Sequence, residues 1–193
     1  MIDWLNSSRL LVFLLLPVAS TGGSVALAET LEIGEKPKNP ERHRAILGRY
    51  VGEWTGRYEM RLAESEKVAT SFSTHATYRW QGNAVQGRLI HGFENGMGVY
   101  ELRMEFDAEG NLSMEVESDE GVAVYAGIVR ENTIEWRSSD DRGNGGWSST
   151  RDHFLKTQED RVQIGSRTVF EMKQEDGTIL LIQSEGFLIP KNS

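Results

Sequence analysis

The sequence predicts an all-β protein: a ten-stranded antiparallel up-and-down barrel with a short N-terminal helix in front. Three observations carry that reading. From Gly52 onward apolar and polar residues alternate with period two, and turn signals recur roughly every 8–14 residues. No helical periodicity interrupts the series. The links between neighbouring strands are short, which argues a meander, and closing a meander into a barrel removes its exposed edges.

Residues 1–28 read as a secretory signal peptide. Arg9 precedes the apolar run Leu10–Ala19, and Ala26-Leu27-Ala28 offers a cleavage site before Glu29. The run is interrupted by Pro17 and is too short to span a bilayer, which takes about 20 apolar residues. Cleavage would leave 165 of the 193 residues, enough for one domain with a real core. The net charge of −8 is unchanged by cleavage, because the segment carries one acid (Asp3) and one base (Arg9). With no basic stripe, neither a nucleic acid nor an anionic membrane surface is an expected partner, and no membrane span is expected after cleavage. The chain has no cysteine, so thiol nucleophiles, zinc knots of cysteine and disulfides are excluded. Export to a bacterial periplasm or the exterior is the expected localisation.

Residues 29–39 are polar and form a leader. The barrel domain is expected over 40–190. Asn39-Pro40-Glu41 is a helix start, with Asn as N-cap, Pro in the first helical position and an acid in the first turn. His43, Leu47 and Tyr50 share a face, and Gly48 and Gly52 keep the helix to two or three turns lying across one barrel end. The strands are predicted at 52–62, 68–80, 84–93, 97–106, 111–118, 122–130, 133–139, 147–155, 161–173 and 178–189. In the opening segment Val51-Gly52-Glu53-Trp54-Thr55-Gly56, Gly52 and Gly56 allow a bend and close approach of backbones, and Trp54 plugs the barrel floor.

Turn chemistry sets the registers. Gly82-Asn83 and Asn95-Gly96 read as two-residue hairpin turns. The first places Trp80 opposite Val85, Tyr78 opposite Gly87 and Thr74 opposite His91. The second places His91 opposite Tyr100 and Leu89 opposite Leu102. Both put one apolar set inside and leave His75, Arg79, Arg88, Glu101 and Arg103 outside. Asp176-Gly177 as a tight turn pairs Phe170 with Gln183, Thr168 with Glu185 and Ser166 with Phe187. In the middle, strand 122–130 is apolar on both faces. Taking Glu131-Asn132 as its turn sends Tyr125, Val129, Ile134 and Trp136 inward and leaves Val124 and Ile128 out.

With a helix, then Val-Gly-x-Trp-x-Gly, then ten strands, the chain resembles the calycins: the lipocalin, fatty-acid-binding and nitrobindin-like barrels. It is most similar to bacterial lipocalin-like domains with this opening. The resemblance covers about Pro40 to Pro190 and implies a fold and a cavity, not a ligand. It departs from haem-binding barrels of the nitrobindin type, where the motif continues as Gly-x-Trp-x-Gly-x-Gly and the iron-ligating His lies near the C-terminus. Here Tyr58 stands at the last position and no His follows His153, so haem is disfavoured and no other cofactor is predicted.

The registers assemble a polar set facing the lumen: His91, Tyr100 and Thr74 on one side, and Ser166, Thr168, Gln183 and Glu185 on the closing strands. Buried without partners, such groups cost about 1–3 kcal/mol each, so they bond one another, water or a ligand. Two accounts stay open at this point, polar fixing points for a guest or a hydrated network at an open end. Tyr78, Trp80, Trp136 and Trp147 would supply aromatic wall, the last two flanking a Gly-rich lip at 140–146. His91, Tyr100 and Glu185 can also be drawn as base, relay and orienting acid, but nothing in the sequence joins Glu185 to His91, and no catalytic residue is assigned. Ser149, Asp152 and His153 lie too close along one strand to form a hydrolytic triad. The histidines do not cluster, and the 140–146 loop lacks calcium-ligand spacing, so no metal site is expected.

The expected function is an exported barrel that binds a small apolar or amphipathic molecule non-covalently. The alternatives are an enzyme acting on a small substrate inside the barrel, or an envelope interaction module with a packed barrel. For the last, Val124, Ile128, Leu180 and Ile182 on the outside would form a patch for homo-oligomerisation.

Overall fold

In the computed structural model the described residues are 39–119, 121–138, 148–156, 162–173 and 176–191. They form one helix, α1 (Pro40–Leu47), and ten strands. These are β1 (Gly52–Leu62), β2 (Thr70–Gln81), β3 (Ala84–Phe93), β4 (Gly96–Phe106), β5 (Leu112–Ser118), β6 (Gly121–Arg130), β7 (Thr133–Ser138), β8 (Ser148–Lys156), β9 (Val162–Lys173) and β10 (Ile179–Pro190). Each strand runs antiparallel to its sequence neighbours, and β1 pairs with β10, so the sheet closes into a barrel. Residues 1–28, where a signal peptide is expected, most of the expected leader, the 140–146 loop and Trp147 lie outside the described residues.

The helix begins as its sequence dictates. The Asn39 side chain accepts the Glu41 N–H at 2.8 Å, and Pro40 opens the first turn, where a missing N–H costs nothing. It ends at Gly48, and the chain tightens so that Tyr50 N–H reaches the Leu47 carbonyl at 3.1 Å. The helix caps the barrel end at which β1 starts. His43 stacks flat on Phe106 with ring centroids 4.0 Å apart, and Arg44 lies 4.6 Å above the Trp80 ring. Arg49 donates to the Glu131 carbonyl at 3.0 Å, which pins the helix end to the β6–β7 turn.

The opening motif now has a physical account. Gly52 has φ 144°, in the left-handed region that side chains rarely adopt. Trp54 is buried, and its indole N–H donates to the Tyr50 carbonyl at 2.6 Å. At Gly56 the reason is proximity, since a Cβ there would lie 1.8 Å from the Phe187 carbonyl oxygen on β10. The motif therefore serves the seam between first and last strands. A related device recurs inside. Tyr58 lies over Gly186, Tyr78 over Gly87 and Trp136 over Gly127, each ring covering the glycine directly across the ladder. Large rings thereby lie along the wall instead of filling the centre.

Register is where sequence expectation and structure part. The β2–β3 pairing is as expected, with Trp80 opposite Val85 and Thr74 opposite His91. Between β3 and β4 the turn residues are Glu94-Asn95, because Phe93 pairs with Gly96; His91 therefore faces Gly98, and Tyr100 faces Leu89. That slip is two residues, so the interior face survives. The β9–β10 slip is one residue. Lys173 pairs with Ile179, leaving a connection of odd length, 174–178, in place of a two-residue turn. An odd shift turns every side chain of β10 over.

Ile182, Ser184, Gly186 and Leu188 thus face the interior, while Leu181, Glu185 and Phe187 face out. Burial energy explains the choice. The observed register buries Ile182 and Leu188 and leaves the carboxylate of Glu185 in water, whereas the expected one would have buried that charge. The proposed outer patch is corrected by the same slip: Ile182 is 4% exposed and Leu180 packs on the core, leaving Val124 exposed and Ile128 half-buried. In β6 and β7 the expected orientation holds, with Tyr125, Ile134 and Trp136 buried and Val129 packed against them.

Candidate functional site

Both ends of the barrel are filled with aromatic side chains. At the helix end are Tyr50, Trp54 and Phe154; Tyr50 meets Phe154 edge-on at 5.1 Å. Toward the other end, Phe72 stacks on Tyr58 at 5.4 Å and meets His91 edge-on at 4.9 Å, with Phe93 4.8 Å away. Between these plugs remains a cavity of about 90 Å³.

Its two long walls differ in chemistry. On one side β3, β4 and β5 present Leu89, Leu102, Met104, Met114 and Val116. On the opposite arc of the barrel β8, β9 and β10 present Thr150, Asp152, Ser166, Thr168 and Ser184. The ladder itself assembles the polar wall, because Thr150, Thr168 and Ser184 occupy one cross-strand row and Asp152 and Ser166 the next. Thr150 and Thr168 share a hydrogen bond of 3.0 Å.

Asp152 is the centre of that wall. Its Oδ2 accepts from the Tyr50 hydroxyl at 2.6 Å and from the Trp136 indole N–H at 3.0 Å, and its Oδ1 accepts from the Ser166 hydroxyl. Burial pushes its carboxyl above the usual range, against the pull of those three donors. Tyr50 reaches it from the helix–strand junction, and Trp54 holds the Tyr50 carbonyl. The floor motif thus positions a lumen contact. Burial also raises the phenols of Tyr50, Tyr58 and Tyr78, with the Asp152 charge adding to each, so all three stay neutral.

On β2 and β3, Thr74 and His91 Nδ1 are hydrogen-bonded at 2.8 Å. Burial pushes His91 down to about 4, so its imidazole is neutral at pH 7. The sign follows from the difference from an exposed histidine at about 6.5. Below that value the unfolded chain takes up a proton that the folded chain refuses, so stability present above pH 6.5 is lost as pH falls toward 4. The expected loss between pH 7 and pH 5 is about 2 kcal/mol, read from urea midpoints, and His91→Phe should flatten that part of the profile.

Three polar groups lining the cavity make no hydrogen bond among the described residues: the Tyr78 hydroxyl, the Ser184 hydroxyl and His91 Nε2. Their residues are 5%, 4% and 6% exposed. Buried polar groups in folded proteins are nearly always paired, so three orphans facing one space ask for a partner inside it.

Of the residues expected to touch a guest, Tyr78, His91 and Trp136 do line the cavity. Tyr100 is buried behind His91, with ring centroids 5.2 Å apart, and Trp80 sits at the floor rim beneath Arg44. Gln183 and Glu185 do not reach the lumen. Both lie on the outer face, where Arg167 donates to Gln183 at 2.9 Å and Arg61 pairs with Glu185 at 2.9 Å. An exposed ion pair such as Arg61–Glu185 is worth about 0–1 kcal/mol, so Glu185→Ala should lower the unfolding free energy from urea titration by less than about 0.5 kcal/mol. Asp152, Tyr50 and Ser184 were not expected at the site. A signal for the first was present: Thr150, Asp152 and Phe154 alternate with Arg151 and His153, which places the carboxylate on the apolar face.

Closed topology and a two-faced cavity between aromatic ends define the class as a ten-stranded antiparallel up-and-down barrel with an internal pocket. No protein-family model matches the sequence, and no curated protein matches it. Among solved structures, an S-type phycobiliprotein lyase from Guillardia theta is similar, with a TM-score of 0.55 at 13% identity over 78% of this chain and 93% of that one. The likeness is one of fold. Among the described residues no helix is long and apolar enough to cross a membrane, and no group of three or more acidic or histidine side chains could hold a metal ion.

Proposed function

We propose that the protein is a small-molecule-binding barrel that holds a partly apolar guest non-covalently in its lumen. The observation that carries this reading is the set of three buried polar groups, without a hydrogen bond among the described residues, that line one internal cavity. A packed core would have left neither the space nor the orphans. The calycin-like fold is consistent with it, since barrels of this kind can enclose a ligand. Size limits the guest. An apolar cavity of roughly 150 Å³ takes benzene, so a lumen of about 90 Å³ suits a body of a few heavy atoms unless the aromatic plugs move. The aliphatic and thioether wall would exclude water from that body, and the hydroxyl wall would orient its polar end.

Residues 1–28 are proposed to direct export to the periplasm or exterior, with the mature chain starting at Glu29; sequencing the N-terminus of protein from the periplasmic fraction tests this. The container reading is tested by native mass spectrometry of protein purified from that fraction. A guest lost on denaturation, and displacement of a small fluorescent apolar probe by it, supports the reading. A bare chain that also fails to bind any small probe overturns it.

A further inference from the structure

Asp152 is a carboxylate buried in the barrel, and among the described residues no cationic side chain is bonded to it. Its partners among the described residues are the neutral donors Tyr50, Trp136 and Ser166, and His153, its exposed neighbour in the chain, adds a positive influence. Buried charges are normally paired, because an uncompensated ion in a low-dielectric interior costs several kcal/mol. The same cavity is lined by further oxygen atoms able to accept hydrogens, those of Thr168 and Ser184 in the neighbouring cross-strand row and that of Tyr78, two of them the orphans described above. An ammonium group has three donors and no acceptor, which matches a wall rich in acceptors around the Asp152 carboxyl, and its charge would favour the ionised form of that carboxyl.

We infer that the guest is a small primary amine, bound as the ammonium, with its nitrogen at the Asp152 wall and its hydrocarbon body against Leu89, Leu102 and Met104. This rests on the container reading and deepens it by naming the ligand class. The complement matters equally. A carboxylate or phosphate in the lumen would face Asp152 with no Lys or Arg on the cavity wall, and with the His91 imidazole on that wall neutral at pH 7, so nothing there would offset the repulsion. Anionic guests such as fatty acids are therefore excluded. Proximity of Ser184 to the site depends on the observed β9–β10 register, so the inference also tests that register.

Three isosteric probes decide it: isobutylamine, isobutyl alcohol and isobutyrate, titrated calorimetrically into the purified protein at pH 7. The amine is expected to bind about 30-fold or more tightly than the alcohol, with isobutyrate giving no heat of binding. Asp152→Asn should bring the amine down to the alcohol's affinity while the alcohol is unaffected. Should Asp152→Asn fail to fold, Ser184→Ala serves instead. Among the described residues Ser184 makes no side-chain hydrogen bond to Tyr50, Trp136 or Ser166, so its loss should weaken the amine about five- to tenfold without lowering the melting temperature.

Equal binding of amine and alcohol overturns the amine assignment and leaves the container reading standing. Binding of isobutyrate as tight as the amine also overturns it. If none of the three binds, the inference fails, and the native mass spectrum then shows whether the container reading fails with it.

Discussion

Gly56→Ala is expected to cost more than about 3 kcal/mol, or to prevent folding outright, although it adds one methyl group. The added Cβ would sit 1.8 Å from the Phe187 carbonyl oxygen and 2.9 Å from its carbon. Both are backbone atoms of β10, so no side chain can swing aside. The strands must separate, and the strands in question are the pair that closes the barrel. Thr55→Ala, next door on the exposed face, should stay within about 0.5 kcal/mol. Urea unfolding of the two variants side by side checks this, and a Gly56→Ala protein as stable as the parent would show that β1 and β10 do not meet as described.

Asp152→Ala is the second large effect, expected to destabilise by about 3 kcal/mol or more. The carboxylate carries its own desolvation cost, so its removal relieves some strain on the fold. The larger consequence is that the Tyr50 hydroxyl, the Trp136 indole N–H and the Ser166 hydroxyl lose their acceptor together in a buried space. Each unsatisfied buried donor costs about 1–3 kcal/mol. Asp152→Asn keeps one acceptor oxygen and should lose about half as much. Because Tyr50 belongs to the helix junction, the Ala variant should also loosen α1, seen as faster amide exchange at Ile46 and Leu47. Unchanged stability in Asp152→Ala would mean that the lumen has no wired polar wall.

The sequence made the strand series legible because alternation is a local property. Ten strands, the helix start at Asn39-Pro40 and the β2–β3 register all follow from residues within a few positions of one another. Two things did not follow. The β9–β10 connection contains an odd number of residues, and Asp176-Gly177 gave no sign of it; the error inverted one strand and placed Glu185 where Ser184 belongs. The Asp152 network joins residues far apart in the chain, 102 positions to Tyr50 and 16 to Trp136. Contacts across the lumen depend on closure and shear, which alternation does not encode. Ser166, Thr168 and His91 were placed inward correctly because their own strands read unambiguously.

These results give Gly-x-Trp-x-Gly a double role here. Gly56 permits the seam, and Trp54 fixes Tyr50, which in turn reaches Asp152. On the proposed function, stability and binding would be coupled through the floor, and floor variants should weaken both.

Electron density in the lumen of a crystal structure at better than about 1.8 Å would test the central claim most directly, since ordered water is visible there. The account predicts a bound molecule or ordered water within hydrogen-bonding distance of the Tyr78 hydroxyl, the Ser184 hydroxyl and His91 Nε2. A dry lumen, with those three groups turned to pair with one another or with the wall, would contradict it.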